Sequence, residues 1–449
     1  MRSILSDIEE RLDRPTARGL ANAVSRAIRD GVLPPGTKLP PIRRIAAELA
    51  LSPTTVSAGW TLLARSGAIH TDGRRGTTVV EPSAPGAVRY RTALRRQTGF
   101  ELDLSTGVPD AGLLPNLERA FEHLTTAGTP LSYLDEPVLP ELADVLHARW
   151  PYPPDRLTVV DGAMDALDQV ARCVLGFGDR VVVEHPCFPA LVDLVESTGV
   201  EVVGVPMDEH GLSAEHLTEA LRVPTAAVFL QPRAHNPTGV STTRDRAKVL
   251  AGLVADAGAL VVEDDSAGDI ASSPAISLGE WIPAQTVHIR SFSKSHGPDL
   301  RLAALSAPDE VMRPLLARRQ LGQGWSSRVL QRILLSLLTD PVAESEVARA
   351  RAAYAERRRL LSTALAARGV DVGGSDGINL WLPVHDETAA IVRLASRGIG
   401  VAPGAPFTLL PSPDGHLRVT CGLVHGHFDG LADELVDAAH TGSWGAQAR

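Results

Sequence analysis

Apolar residues near the start of the chain recur at helical spacing. Leu20, Val24, Ala27 and Ile28 share one face, and the pattern stops at Asp30-Gly31. Leu33-Pro34-Pro35-Gly36 reads as a turn. A short helix is predicted from about Ile42 to Leu49, and another from Ser52-Pro53-Thr54-Thr55-Val56 to about Arg65. Ser52 supplies an oxygen that can cap the free N–H groups of that second helix, and Pro53 suits its first position. Two strands, Ile69-His70-Thr71 and Thr77-Thr78-Val79-Val80, flank a glycine-rich tip, Asp72-Gly73-Arg74-Arg75-Gly76.

From Glu101 the pattern changes to apolar strands alternating with helices. Strands are predicted at Thr158–Val160, Arg180–Val183, Glu201–Val205, Ala226–Leu230, Leu260–Glu263, Val287–Arg290 and Leu302–Leu305. This is an α/β pattern built on a mostly parallel seven-stranded sheet. A long helical stretch, Pro341–Arg368, leads into a smaller C-terminal α+β unit. The expected organisation is therefore a small domain at 1–81, a linker at 82–100 rich in Pro, Gly, Ala and Arg, and a large domain at 101–449.

Composition narrows the setting. A length of 449 residues suits two to three domains. Cys173, Cys187 and Cys421 are scattered without a CxxC pair, which argues for a reducing compartment and against a disulfide framework or a metal site. No apolar run approaches a membrane span, and the first residues lack a signal-peptide core, so a cytoplasmic protein is expected. The net charge of −9 conceals an asymmetry: residues 1–100 carry 16 basic and 8 acidic side chains, and the rest carry 28 and 45. A basic head on an acidic body points to a polyanionic partner for the head alone.

Short helices followed by a basic-tipped hairpin make a winged helix-turn-helix. Its second helix is expected to enter the major groove of double-stranded DNA with Thr54, Thr55 and Ser57 toward the base edges. Arg43, Arg44, Arg74 and Arg75 suit phosphates or the minor groove. The run from Gly31 to Pro40, then Arg43, Ser52-x-Thr54-Thr55-Val56 and Gly73-Arg74-Arg75-Gly76-Thr77, resembles the GntR family. Ile42, Pro53 and Ala58 depart from it, where the family often has Ser, Arg and Arg. Two fewer basic contacts imply weaker phosphate anchoring.

In the large domain an apolar strand ends in Glu263-Asp264-Asp265, and about thirty residues later another ends in Ser291-Phe292-Ser293-Lys294. That arrangement suits pyridoxal phosphate (PLP). A lysine amine forms the Schiff base, a carboxylate keeps the pyridine nitrogen protonated, and hydroxyls bind phosphate. Asp264 is preferred as the carboxylate because the strand should end there, with Asp265 and Glu263 as alternatives.

From Asp103 onward the order of motifs resembles fold-type-I aminotransferases, and the fusion to a GntR-like head resembles the MocR/GabR regulators. The resemblance implies roles residue by residue. Lys294 carries PLP, Asp264 pairs with the ring nitrogen, Asn236 of His235-Asn236-Pro237-Thr238-Gly239 donates to the phenolic oxygen, and Phe188 stacks on the ring. Gly162, Ala163, Met164, Ser291, Ser293 and Arg301 bind the phosphate, joined by Tyr133 from the partner subunit of a homodimer. Arg418 grips the α-carboxylate of an amino acid, close to the loop of Gly107 and Val108. Ser266 stands where related regulators often have a tyrosine that reaches the phenolic oxygen, and a serine is too short for that role.

Together these features imply a PLP-dependent transcriptional regulator that senses an amino acid or amine by aldimine exchange at Lys294. An active aminotransferase with a secondary DNA-binding head, or a sensor of PLP itself, are the alternatives, and the residues for a half-transamination are present.

Overall fold

The computed structural model describes residues 4–65, 68–72, 76–79, 89, 99–122, 124, 132, 135–411 and 415–442. It divides into two compact units, one drawn from Met1–Val88, Leu175–Val181 and Asp193–Val202, the other from the rest. Most of the expected linker, together with Arg74, Arg75 and Tyr133, lies outside the described residues.

The first unit holds helices α1 (Ile4–Glu9), α2 (Ala17–Arg29), α3 (Ile42–Glu48) and α4 (Pro53–Arg65) and strands β1 (Lys38–Leu39), β2 (Ile69–Asp72) and β3 (Gly76–Val79). Thr16 caps α2 by accepting from Gly19 N at 3.0 Å. The face read from the sequence is the buried one: Leu20, Val24 and Ala27 pack with Ile45, Val56, Trp60 and Leu63 in one core. The strands form an antiparallel sheet in the order β1-β3-β2. Neither α1 nor the two-residue β1 was expected, because both are too short to show a period.

The second unit is built around an eight-stranded sheet. After β4 (Leu102–Asp103) come β5 (Arg156–Val160), β6 (Arg180–His185), β7 (Glu201–Asp208), β8 (Gly211–Leu212), β9 (Ala227–Leu230), β10 (Leu260–Asp265), β11 (Thr286–Ser291) and β12 (Ala303–Ala307), in the spatial order β5-β12-β11-β10-β9-β6-β7-β8. The seven expected strands are all present, and the eighth is the two-residue β8, paired antiparallel with the end of β7. β9, β10 and β11 are parallel, and β12 is antiparallel to both its neighbours. Near-continuous apolar runs such as Val181-Val182-Val183 fit strands covered on both faces.

The long helix Pro341–Ala366 leads to a smaller α+β part. There β13 (Leu380–Val384), β15 (Ala402–Pro403) and β16 (Gly415–Val419) form a sheet in the order β13-β16-β15, while β14 (Ile399–Gly400) pairs with β4. Leu104, Leu361, Leu380, Leu382, Leu417, Val419 and Leu435 share its core. Among the described residues no helix is long and apolar enough to cross a membrane.

Candidate functional site

The chain contains three lysines, Lys38, Lys248 and Lys294. Lys38 and Lys248 are exposed, and Lys294 is not. It stands three residues beyond the end of β11, and its Nζ lies 3.3 Å from Ser266 Oγ. Burial lowers the amine pKa from its ordinary 10.5. The charge of Asp264 opposes that shift, and Arg418 adds to it. These effects place Asp264 and Arg418 within electrostatic reach of the same amine.

The three acids that end β10 have different fates, because successive strand residues face opposite sides. Glu263 accepts from Ser277 Oγ at 2.5 Å and Leu278 N at 2.6 Å, and meets His288 Nδ1 at 2.6 Å. Asp265 forms a buried ion pair with Arg233 at 2.5 Å. Asp264 is left on the Lys294 side. Its Oδ2 accepts from Gln231 Nε2 at 2.7 Å, while its buried Oδ1 has no partner among the described residues. Burial raises the Asp264 pKa, against the opposing effects of the Gln231 hydrogen bond and the Lys294 charge. A buried carboxylate oxygen without a donor is costly, and a protonated ring nitrogen is the kind of group that would satisfy it. This donor set therefore fits a pyridinium ring.

Sheet register gathers the anion-binding candidates. Ser291 pairs with Ala303, and Ala303 pairs with Val160, so the three lie in one row across the sheet. Just beyond the row come Asp161–Met164, opening the helix Ala163–Val174, then Ser293, and Arg301 two residues before Ala303. Arg301 Nη2 lies 3.4 Å from Asp161 O. Gly162 has φ +105°, and a Cβ there would stand 3.0 Å from the Arg301 guanidinium, so a side chain would be both strained and crowded. Ser291 Oγ accepts from Ser293 N at 3.3 Å. N–H groups at the start of a helix beside an arginine and two serines form a cradle suited to a phosphate.

On the small α+β part, Arg418 is buried on β16. Its guanidinium donates to Ser105 O and lies 5.4 Å from the Phe407 ring centre. Gly107, with φ +66°, lets the loop close over that guanidinium, since a Cβ would meet it at 3.1 Å. Val108 is exposed beside it. Phe188 follows Cys187, whose N–H donates to Phe407 O at 2.8 Å and whose thiol pKa is raised by burial, then by Glu184, with a smaller part from Asp264. Asn236 is buried. Its backbone N donates to Gln231 Oε1 at 2.9 Å, and its Oδ1 lies 3.4 Å from Asn379 Nδ2.

Sequence reasoning missed Gln231, which joins Asp264, Ser266 and Asn236, with Nε2 also 3.3 Å from Ser266 Oγ. It missed buried Glu184 too, which accepts from Gln231 N at 2.7 Å and has its pKa pushed well above 4.5 by burial. The available signal was position, since Gln231 immediately follows β9, at the carboxyl end of a parallel strand where ligands bind in such sheets.

In the first unit, Ser52 Oγ accepts from Thr55 N at 2.9 Å, as the cap requires. Arg43, Arg44, Thr54 and Ser57 are exposed and Thr55 is partly so, while Arg44 pairs with Glu48 at 2.9 Å. Pro53 and Ala58 are exposed on the same helix, at positions where a basic side chain would be open to solvent.

Comparison with known proteins completes the picture. The description "aminotransferase class I and II" matches residues 101–435, and "bacterial regulatory proteins, gntR family" matches residues 16–79. The chain belongs to the class I and II aminotransferase family. The GntR-family domain ahead of it gives the MocR-type arrangement. The vitamin B6 salvage pathway transcriptional repressor PtsJ of Salmonella typhimurium is 35% identical over 426 residues, covering 91% of this chain and 95% of that protein. The pyridoxine biosynthesis transcriptional regulator PdxR of Corynebacterium glutamicum is 28% identical, covering 85% and 86%. Among solved structures, the α-aminoadipate aminotransferase LysN of Thermus thermophilus, complexed with N-(5'-phosphopyridoxyl)-L-leucine, superposes with a TM-score of 0.67 at 24% identity, covering 76% of this chain and 93% of that one. An archaeal alanine:glyoxylate aminotransferase gives 0.69 at 20%, covering 78% and 93%. These likenesses establish the aminotransferase fold of the second unit.

Proposed function

We propose that this chain is a PLP-dependent DNA-binding transcriptional regulator that responds to an amino acid or amine. The observation that carries the proposal is the single shielded lysine. Its amine is held toward the neutral, nucleophilic form by burial and is grouped with Asp264, Ser266 and Gln231, in a chain that also carries a GntR-family domain.

Lys294 would hold PLP, with Asp264 accepting from the ring nitrogen, Asn236 facing the phenolic oxygen and Phe188 covering the ring. Gly162, Ala163, Met164, Ser291, Ser293 and Arg301 would take the phosphate, with Tyr133 contributed by the second subunit of a homodimer. PLP supplies an aldehyde and an electron-withdrawing ring. The planar fork of Arg418 suits a ligand carboxylate, and burial strengthens that grip by excluding water. Arg43, Arg44, Arg74 and Arg75 would neutralise DNA phosphates, and Thr54, Thr55 and Ser57 would face base edges. A ligand alters DNA binding only if it favours one conformation over another, so the effector must contact something that differs between the two.

A second reading has its own support. Two relatives are named for vitamin B6 salvage and pyridoxine biosynthesis, which favours PLP itself as the signal. Titration of PLP into the purified protein tests the cofactor half. After unbound PLP is removed, a visible absorbance should remain on the wild type and on a Lys38→Ala/Lys248→Ala variant and be absent from Lys294→Ala. Absorbance that survives Lys294→Ala would refute the assignment. Adding amino acids and amines afterward separates the two readings, because a PLP sensor changes DNA affinity before any amine is present.

A further inference from the structure

An asparagine side chain has nearly the same shape either way round, so its direction is set by its partners. For Asn236 the direction matters, because only the NH2 end can donate to a phenolic oxygen. A chain of buried groups leads to it. The Gly107 backbone N–H donates to Thr420 Oγ1 at 3.0 Å. That hydroxyl in turn donates to Asn379 Oδ1 at 3.2 Å. Asn379 is thereby oriented with Nδ2 toward Asn236 Oδ1, at 3.4 Å the longest link. Asn236 then turns its own Nδ2 away from Asn379. Thr420, Asn379 and Asn236 are 0%, 4% and 7% exposed, so water does not readily substitute for any link.

The relay begins at the Gly107 backbone N–H, which can only donate. Gly107 is also where the loop closes over the Arg418 guanidinium. We infer that Asn379 and Thr420 are positioning residues that lock the amide of Asn236 with its donor toward the cofactor's phenolic oxygen, and that they tie this lock to the loop over Arg418. The inference rests on the PLP reading above. It adds a consequence for the effector site: a carboxylate that draws the Gly107 loop toward Arg418 pulls on the same relay that holds Asn236.

A donor to the phenolic oxygen stabilises its anionic form, most strongly when the Lys294 nitrogen beside it carries no proton. Losing that donor therefore raises the pH at which the visible absorbance of bound PLP changes. The test measures that pH midpoint and the PLP dissociation constant in the full-length protein. Asn236→Leu sets the benchmark, with an upward shift of about one pH unit. Asn379→Leu and Thr420→Val should shift the midpoint in the same direction, Thr420→Ser should restore it, and Asn379→Leu should add nothing to Asn236→Leu. An unmoved midpoint in Asn379→Leu and Thr420→Val with PLP still bound would overturn the inference, as would an equal added shift in the double variant. Should Asn379→Leu fail to fold, the Thr420→Val and Thr420→Ser pair decides alone. If wild-type protein shows no Lys294-dependent absorbance, the functional reading falls and the inference with it.

Discussion

Ser266 Oγ lies 3.3 Å from Lys294 Nζ. The same hydroxyl lies 3.3 Å from Gln231 Nε2, so it joins the lysine to the amide that holds Asp264. A serine cannot reach as far as a tyrosine, but here it contacts the amine directly. Ser266→Ala removes an acceptor that favours the charged amine, so the amine pKa should fall further below 10.5. The expected stability change is small, about 1 kcal/mol. The rate of PLP capture measured against pH checks this, with the variant's midpoint predicted to lie below that of the wild type.

Glu184 should leave a signature in the pH dependence of stability. A carboxyl whose pKa is higher folded than unfolded holds its proton more tightly in the folded state. Stability therefore falls as pH rises from the unfolded value near 4.5 through the raised folded value. Glu184→Gln keeps an acceptor for Gln231 N and cannot ionise. The variant should lose less stability than the wild type over that interval, and thermal melts from pH 5 upward would show the two curves diverging.

Arg418→Lys keeps the charge but loses the fork. Amino-acid affinity of the PLP-loaded protein should drop by about 1.5–3 kcal/mol, roughly 10- to 150-fold, with PLP affinity much less affected. Amines without a carboxylate should be indifferent to the change, and competition titrations with matched acid and amine pairs read the difference.

The head makes a separable prediction. Arg43→Ala should weaken binding to all DNA sequences alike and reduce the salt slope by about one. Ser52→Ala should cost about 1 kcal/mol through the lost cap on α4. Ala58→Arg should tighten binding, since the position is exposed on that helix.

Much of this was legible in the sequence where local chemistry is strong. The apolar period from Leu20, the Ser52-Pro53 helix start and the β-branched runs of the large sheet each declare themselves within a few residues. The Lys294 and Asp264 motifs stood out because acidic residues close one apolar strand and a lysine follows soon after another. Local reading preferred Asp264 for a strand end that β10 in fact reaches only at Asp265, and the different surroundings of the two acids come from Arg233 and Gln231, about thirty residues away. Nor could it find Asn379 and Thr420, whose partners lie 143 and 313 positions distant in the chain. Two-residue strands such as β1 and β8 exist only through their pairing partners and carry no periodic signal.

The most direct test of the account is binding of the purified protein, at one fixed salt concentration, to DNA from upstream of its own gene against a scrambled fragment. It is run with and without PLP, and beside Lys294→Ala. The account predicts sequence-selective binding in the wild type, with an affinity that changes on addition of PLP or of an amine to the loaded protein, and no such change in Lys294→Ala. Absence of selectivity at any salt concentration, or a response in Lys294→Ala equal to that of the wild type, would contradict it.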